Sequence, residues 1–87
     1  MKNIKLDIAQ DVQEKLLLKH RIKIEELENA LEYGNPRFFK QKGNTYMAIM
    51  HHLRYITLIF EYERPNIAKV RTAYHSPQSH INRYNKK

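Results

Sequence analysis

Five histidines and a late run of cations and tyrosines are the side chains best able to do chemistry in this sequence. The histidines are His20, His51, His52, His75 and His80. Lys69, Arg71, Tyr74 and His75 fall within seven positions, and His80, Arg83 and Tyr84 follow just beyond. Such groups suffice to cleave RNA without a metal. One takes the proton from a ribose 2′-hydroxyl, a cation steadies the charged pentavalent phosphate, and an acid protonates the departing 5′-oxygen. A single histidine is more often an ordinary surface residue, so the grouping carries the weight. Other chemistries have less support. There is no cysteine, hence no thiol nucleophile, disulfide framework or zinc ribbon. His51-His52 could chelate, but adjacent strand residues point to opposite faces, and no histidine pair has the helical i, i+4 spacing of a zinc site. No metal and no cofactor is expected. Glu61 and Glu63 share a strand face, a weak basis for glycoside hydrolysis. With two glycines the chain has no phosphate-binding loop of the Walker or Rossmann kind.

The elements that position these residues follow from spacing. Lys2–Leu6 reads as a short extended segment. Asp7 suits a helix N-cap, with Gln10 in the capping-box position. Ile8, Val12 and Leu16 follow at intervals of four with Leu17 beside them, an amphipathic helix of about three turns. Ile24, Leu27 and Leu31 make a second stripe, with Glu25, Glu26, Glu28 and Glu32 mostly on the wet side. Gly34 fits the residue after this helix and Pro36 prevents its resumption. The period then drops to two. Arg37–Gln41 is a short strand, Lys42-Gly43-Asn44 a turn, and Thr45–His51 a further strand. In Arg54–Glu63, Ile56, Leu58, Phe60 and Tyr62 face one way and Tyr55, Thr57, Ile59 and Glu61 the other. Ile67–Tyr74 follows a turn at Arg64-Pro65-Asn66. Ala68, Val70 and Thr72 share one of its faces, Lys69, Arg71 and Ala73 the other, and His75 keeps the parity of Lys69 and Arg71. Ser76-Pro77 starts a short final helix. The expected fold is α+β, with two N-terminal helices packed on one face of a four-stranded antiparallel sheet and a short C-terminal helix. The opposite face is expected to be less apolar and to display Lys69 and Arg71.

Charge and length narrow the partner. The 87 residues carry a formal net charge of +7, distributed unevenly. Residues 1–33 hold six Lys/Arg against seven Asp/Glu; residues 34–87 hold ten against two, a net of +8. That skew implies a polyanion for the second part. Cations interleave with aromatics in Arg37-Phe38-Phe39-Lys40, at Tyr46 and in Arg54-Tyr55, an arrangement suited to phosphates and unpaired bases. Arg37, Lys40, Lys42 and Arg54 are the candidate RNA-binding residues. The competing reading has these aromatics packing the sheet. One domain over residues 1–87 is expected, because so short a chain buries only ~60% of its unfolded surface. The longest apolar stretch, Tyr55–Phe60, is far below the ~20 residues of a membrane helix, and the N-terminal residues lack a signal-peptide pattern. A soluble cytoplasmic protein without a membrane partner is expected.

Several segments resemble those of BrnT-type toxins. Lys19-His20-Arg21-Ile22, with Glu25-Glu26-Leu27-Glu28-Asn29-Ala30 after it, is similar to the family's KHGVS and FEEA segments. Thr45–Ile49 and Arg54–Phe60 resemble two of its strands. Lys69-Val70-Arg71-Thr72-Ala73-Tyr74, continuing to Arg83-Tyr84, resembles its R-I-I-S-A-R ending and final tyrosine. The likeness spans roughly residues 15–84 as short motifs. It implies a RelE-like fold and a metal-independent endoribonuclease toxin of a type II toxin–antitoxin pair, cleaving RNA, mRNA foremost. A cognate antitoxin would neutralise it, in a toxin–antitoxin hetero-oligomer. By position, His20 matches the family's histidine, Lys69 its strand arginine, Thr72 its serine and Tyr84 its last tyrosine. Tyr74 stands where the family has arginine, His80 where it has glutamate, Arg21 where it has glycine and Lys23 where it has serine. The expected catalytic residues are Lys69, Arg71, Tyr74 and His75, supported by His20, His80, Arg83 and Tyr84. Two other readings use the same surface: a non-catalytic nucleic-acid-binding module, or an interaction domain whose sheet edge a partner strand completes.

Overall fold

A computed structural model of the chain describes residues 4–86. It is mixed α+β, as expected, but with five strands rather than four. In chain order the elements are β1 (Lys5–Asp7), α1 (Gln10–Lys15), a π-helical segment (Leu16–His20), α2 (Ile24–Tyr33), β2 (Arg37–Lys40), β3 (Thr45–His51), β4 (Tyr55–Arg64), β5 (Ile67–His75) and α3 (Gln78–Asn85). The sheet order is β1-β5-β4-β3-β2. Strands β2 to β5 form the expected antiparallel meander, and β1 adds a short parallel edge on β5. Of the expected extended segment, Lys2 and Asn3 lie outside the described residues. Asp7 is not a helix cap. It pairs with Lys69 in β1, and Ala9 takes the cap position without a side-chain bond.

The helices cover one face of the sheet in the expected manner. Leu16, Ile22, Leu27, Ala30 and Leu31 pack against Ala48, Met50, Ile56, Leu58, Phe60, Ala68, Val70 and Ala73. Phe60 is fully buried and gathers Phe38, Tyr46 and Tyr62 around its ring at centroid distances of 6.2, 5.9 and 5.1 Å. Burying one such side chain contributes about 1.5–3 kcal/mol. Of the interleaved aromatics, Tyr46 packs against the core, as the packing reading held, while Phe38 touches the Phe60 ring from an exposed position.

The other face departs from expectation. It is not an open cationic surface, because α3 lies on it. Met47, Ile49 and Thr57 are buried there, Arg83 stacks on Phe39 at 4.3 Å, and Tyr84 meets Tyr55 at 5.8 Å. A bulge in β5 also changes which residues share that face. Phe60 pairs with Val70 and Ile59 with Thr72, so Arg71 is an extra residue. Past it the alternation inverts. Ala73 turns to the helices, Thr72 and Tyr74 to the α3 side, and His75 no longer shares a face with Lys69.

Two chain reversals have identifiable causes. Arg21 ends the π-helical segment in the left-handed region, φ 57°, with its N–H bonded to the Leu16 carbonyl. Gly34 follows α2 at φ −94°, and the left-handed residue is Asn35 at φ 46°. Glycine is needed at position 34 for space. A Cβ there would collide with the Ala30 carbonyl and sit 3.2 Å from the His51 amide nitrogen, on backbone that cannot yield. Gly34→Ala should lower unfolding free energy by roughly 1–3 kcal/mol in denaturant titration. Arg21→Gly should be more stable than Arg21→Ala by about 1 kcal/mol, the left-handed penalty being removed. Equal stability of those two proteins would count against strain at Arg21.

Candidate active site at the end of strand β5

Strand β1 stops opposite Lys69, so the later part of β5 runs beyond its edge partner, and the π-helical segment lies against it. Such segments replace i, i+4 bonds with i, i+5 bonds, are rare, and are often found at functional sites. Here the segment ends on His20. The His20 ring lies 6.3 Å from the ring of Tyr74, and His80 of α3 lies 5.9 Å from Tyr74 on a separate element. Tyr74 thus stands between two imidazoles. Partial burial raises its pKa, which keeps the phenol protonated at neutral pH. Partial burial also lowers the pKa of His20, helped by the charges of Lys19, Lys15 and His75. At neutral pH His20 is uncharged and has a free lone pair to accept a proton.

A second group adjoins the first. Arg54, just before β4, grips Glu26 of α2 in a two-pronged ion pair, Nε to Oε2 at 2.8 Å and Nη2 to Oε1 at 2.6 Å. Its Nη1 lies 3.3 Å from Nε2 of His75. A guanidinium only donates, so this His75 nitrogen accepts, and a neutral His75 carries its proton on Nδ1. The Arg54 bond holds the Glu26 carboxyl below its ordinary pKa. On the α3 side, the buried hydroxyl of Thr57 lies 2.8 Å from Ser76 Oγ and 3.0 Å from His80 Nδ1.

Of the residues expected to form the site, the structure brings together His20, Tyr74, His75 and His80. Lys69 and Arg71 are elsewhere. At about 3.3 Å of rise per residue, Lys69 is roughly 15 Å along the strand from Tyr74. Arg71 binds Glu61 at 2.7 Å, and both cations line a groove of about 300 Å³ with Asp7 and Asp11. Arg83 is spent on the Phe39 ring. Tyr84 lies one helical turn past His80, with its hydroxyl against the carbonyls of Gly34 and Asn35 at 3.0 and 2.9 Å. Arg37 donates to the carbonyls of Tyr84 and Lys86, both at 2.7 Å, and so ties down the end of α3. Lys40 and Lys42 are exposed on the β2–β3 hairpin. His51 stacks on Tyr55 at 3.9 Å and His52 lies 5.8 Å from Tyr33. No set of three His, Asp or Glu side chains among the described residues is arranged to hold a metal ion, and no described helix is long and apolar enough to cross a membrane. A further groove, of about 620 Å³ between α1 and α2, is lined by Leu17, Ile22 and Ile24 and holds none of the site histidines.

The chain matches the crystal structure of the Brucella abortus ribonuclease toxin BrnT with a TM-score of 0.69. It has the BrnT fold. The match covers 86% of this chain and 99% of that one, at 20% sequence identity. No family model matches the chain, and no curated protein matches it. The expected likeness to BrnT thus holds in three dimensions, where sequence comparison finds nothing. Sequence reasoning missed Glu26, Thr57 and Ser76 as neighbours of the site. A hydroxyl residue amid the apolar stretch Tyr55–Phe60 was the available signal for Thr57. Nothing local in the sequence pointed from Glu26 to Arg54, which are 28 positions apart.

The Glu26–Arg54 pair should leave a signature in acid. Its carboxyl pKa is lower folded than unfolded, so the stabilisation is present at neutral pH and lost as pH falls through the folded value. The Arg54 side chain is 46% exposed, which limits the contribution to about 1 kcal/mol or less. Glu26→Gln is therefore expected to be less stable than the parent near pH 7, with the difference closing as acid protonates the folded carboxyl. Denaturant titrations over a descending pH series measure it; a difference that grows in acid would refute the pairing.

Proposed function

We propose that this chain is a metal-independent endoribonuclease toxin of a type II toxin–antitoxin pair. The observation that carries the reading is the placement of Tyr74 between His20 and His80, with Arg54 and His75 alongside, on a BrnT fold. His20, neutral because its pKa is lowered, takes the proton of a ribose 2′-hydroxyl. The 2′-oxygen attacks the adjacent phosphorus, and the P–O5′ bond breaks. His80 gives a proton to the departing 5′-oxygen, which leaves a 2′,3′-cyclic phosphate. Tyr74 stays protonated and donates a hydrogen bond to a non-bridging oxygen, and Arg54 supplies positive charge that Glu26 holds in place. In this reading Lys69 and Arg71 are contacts for the RNA backbone outside the reacting group, with Lys40 and Lys42 extending the cationic track. The substrate is mRNA in the cytoplasm. A cognate antitoxin covers the site and forms a hetero-oligomer with the toxin; complementary charge would make its association sensitive to salt.

The test is incubation of the purified chain with RNA in EDTA, followed by mapping of the ends. Cleavage leaving 2′,3′-cyclic phosphates is expected. His20→Ala, His80→Ala and Tyr74→Phe should each lose roughly 100-fold or more in rate while still folding. Lys69→Ala should chiefly raise KM, and less so at higher salt, where that contact is already screened. Cleavage should rise with pH as His20, its pKa lowered, loses its proton, and fall again at higher pH once the general acid is deprotonated, giving a bell-shaped profile. Intact RNA with salt-sensitive binding would replace the enzyme with a nucleic-acid-binding module.

A further inference from the structure

We infer that Thr57 is a positioning residue that fixes the His80 ring so that only its Nε2 exchanges the proton. This rests on the ribonuclease reading for its consequence, but not for its geometry. Thr57 is a buried polar side chain, at 0% exposure, near the start of β4 and under α3. A hydroxyl taken out of water costs free energy unless it is hydrogen-bonded, and valine would fill the same space without that cost. The presence of a hydroxyl is explained by what it holds: Oγ1 lies 3.0 Å from His80 Nδ1 and 2.8 Å from Ser76 Oγ. All three members are anchored. The Ser76 amide donates to the Tyr55 carbonyl at 3.1 Å, the His80 amide to the Pro77 carbonyl at 2.9 Å, and Thr57 sits on the central strand.

The proton inventory gives the direction. A histidine that protonates a leaving oxygen carries protons on both nitrogens beforehand. Nδ1–H then donates to Thr57 Oγ1, and the one hydroxyl proton of Thr57 goes on to Ser76 Oγ. After the transfer Nδ1 keeps its proton, and Nε2 is left as the bare lone pair that is reprotonated in the next turnover. The hydrogen bond on one ring nitrogen sets the chemistry of the other. Thr57 touches neither RNA nor the reacting atoms, so it acts through His80.

Nitrogen NMR of the His80 ring, read beside the cleavage of a short oligoribonucleotide, tests this. In the parent, neutral His80 is expected as the Nδ1–H tautomer. Thr57→Val should lose that single tautomer and lower kcat by about tenfold or more with KM little changed. Thr57→Ser, which restores the hydroxyl, should recover both. A folded Thr57→Val protein with parental ring signals and kcat would overturn the inference. If Thr57→Val does not fold, Thr57→Ala is read in the same way. Parental His80 found with its proton on Nε2, or averaging as a free histidine does, would overturn the inference whatever the variants do. Failure of the parent to cut RNA would sink the ribonuclease reading alone, since the ring signals still report whether Thr57 holds His80.

Discussion

Three consecutive residues of β4, Ile56, Thr57 and Leu58, are sealed from water, and most of the architecture follows from that burial. Neighbouring strand residues point to opposite faces, so a strand buried along its length needs cover on both. Ile56 and Leu58 find it under the N-terminal helices. Thr57 lies on the other side, where the cover is α3. The short last helix is thus a structural necessity, and its docking sets His80 against Thr57. Arg37 reinforces the docking through the carbonyls of Tyr84 and Lys86, and Tyr84 through the carbonyls of Gly34 and Asn35. Arg37, a candidate RNA contact, and Tyr84, a candidate supporting residue, hold the helix that presents the histidine.

Much of this was legible in the sequence where a pattern is local. Helix α2, strands β3 to β5 and the turns at Lys42–Asn44 and Arg64–Asn66 follow from period and turn residues. The fold was legible through short motifs shared with BrnT-type toxins, although 20% identity is too thin for those motifs to register as a sequence match. What was not legible depends on contacts between distant segments. Strand β1 is three residues long and exists because β5 offers an edge. The bulge at Arg71 is a register decision between two strands, and it alone inverts the alternation that would have put His75 beside Lys69. The same inversion moves Tyr74 to the face where His80 waits. A strict period of two therefore yields the right strand and the wrong companions.

The charge skew also means something narrower than its size suggests. Of the excess cations in residues 34–87, Arg71 is paired with Glu61, Arg54 with Glu26, and Arg37 with main-chain carbonyls. Glu26 comes from the near-neutral first third, so part of that region's acid does more than solvate a helix. It steers one cation toward the site. A polyanion approaching the protein would meet Lys40, Lys42 and Lys69 as its more available charges, and Arg54 as a charge already oriented. Long-range attraction and local chemistry are then divided among different residues, the first weakened by salt and the second much less so.

The π-helical segment accounts for the remaining placement. An ordinary α-helical turn from Lys15 onward would rotate successive side chains by about 100° each. Leu16 opens the wider turn in the core, Leu17 and Leu18 stay out, 49% and 79% exposed, and Ile22 re-enters the core just after the reversal. The chain then reverses at Arg21 in a left-handed conformation, at the position where the resemblance puts glycine. The backbone keeps this reversal although the side chain opposes it. Straightening the segment would take Leu16 and Ile22 from the core together and carry His20 away from Tyr74. On the ribonuclease reading, the departure at position 74 fits the same logic. Tyrosine stands where the resemblance puts arginine, so the side chain beside the two histidines is neutral. The positive charge comes instead from Arg54, at a different strand end, held by its own carboxylate and 3.3 Å from His75.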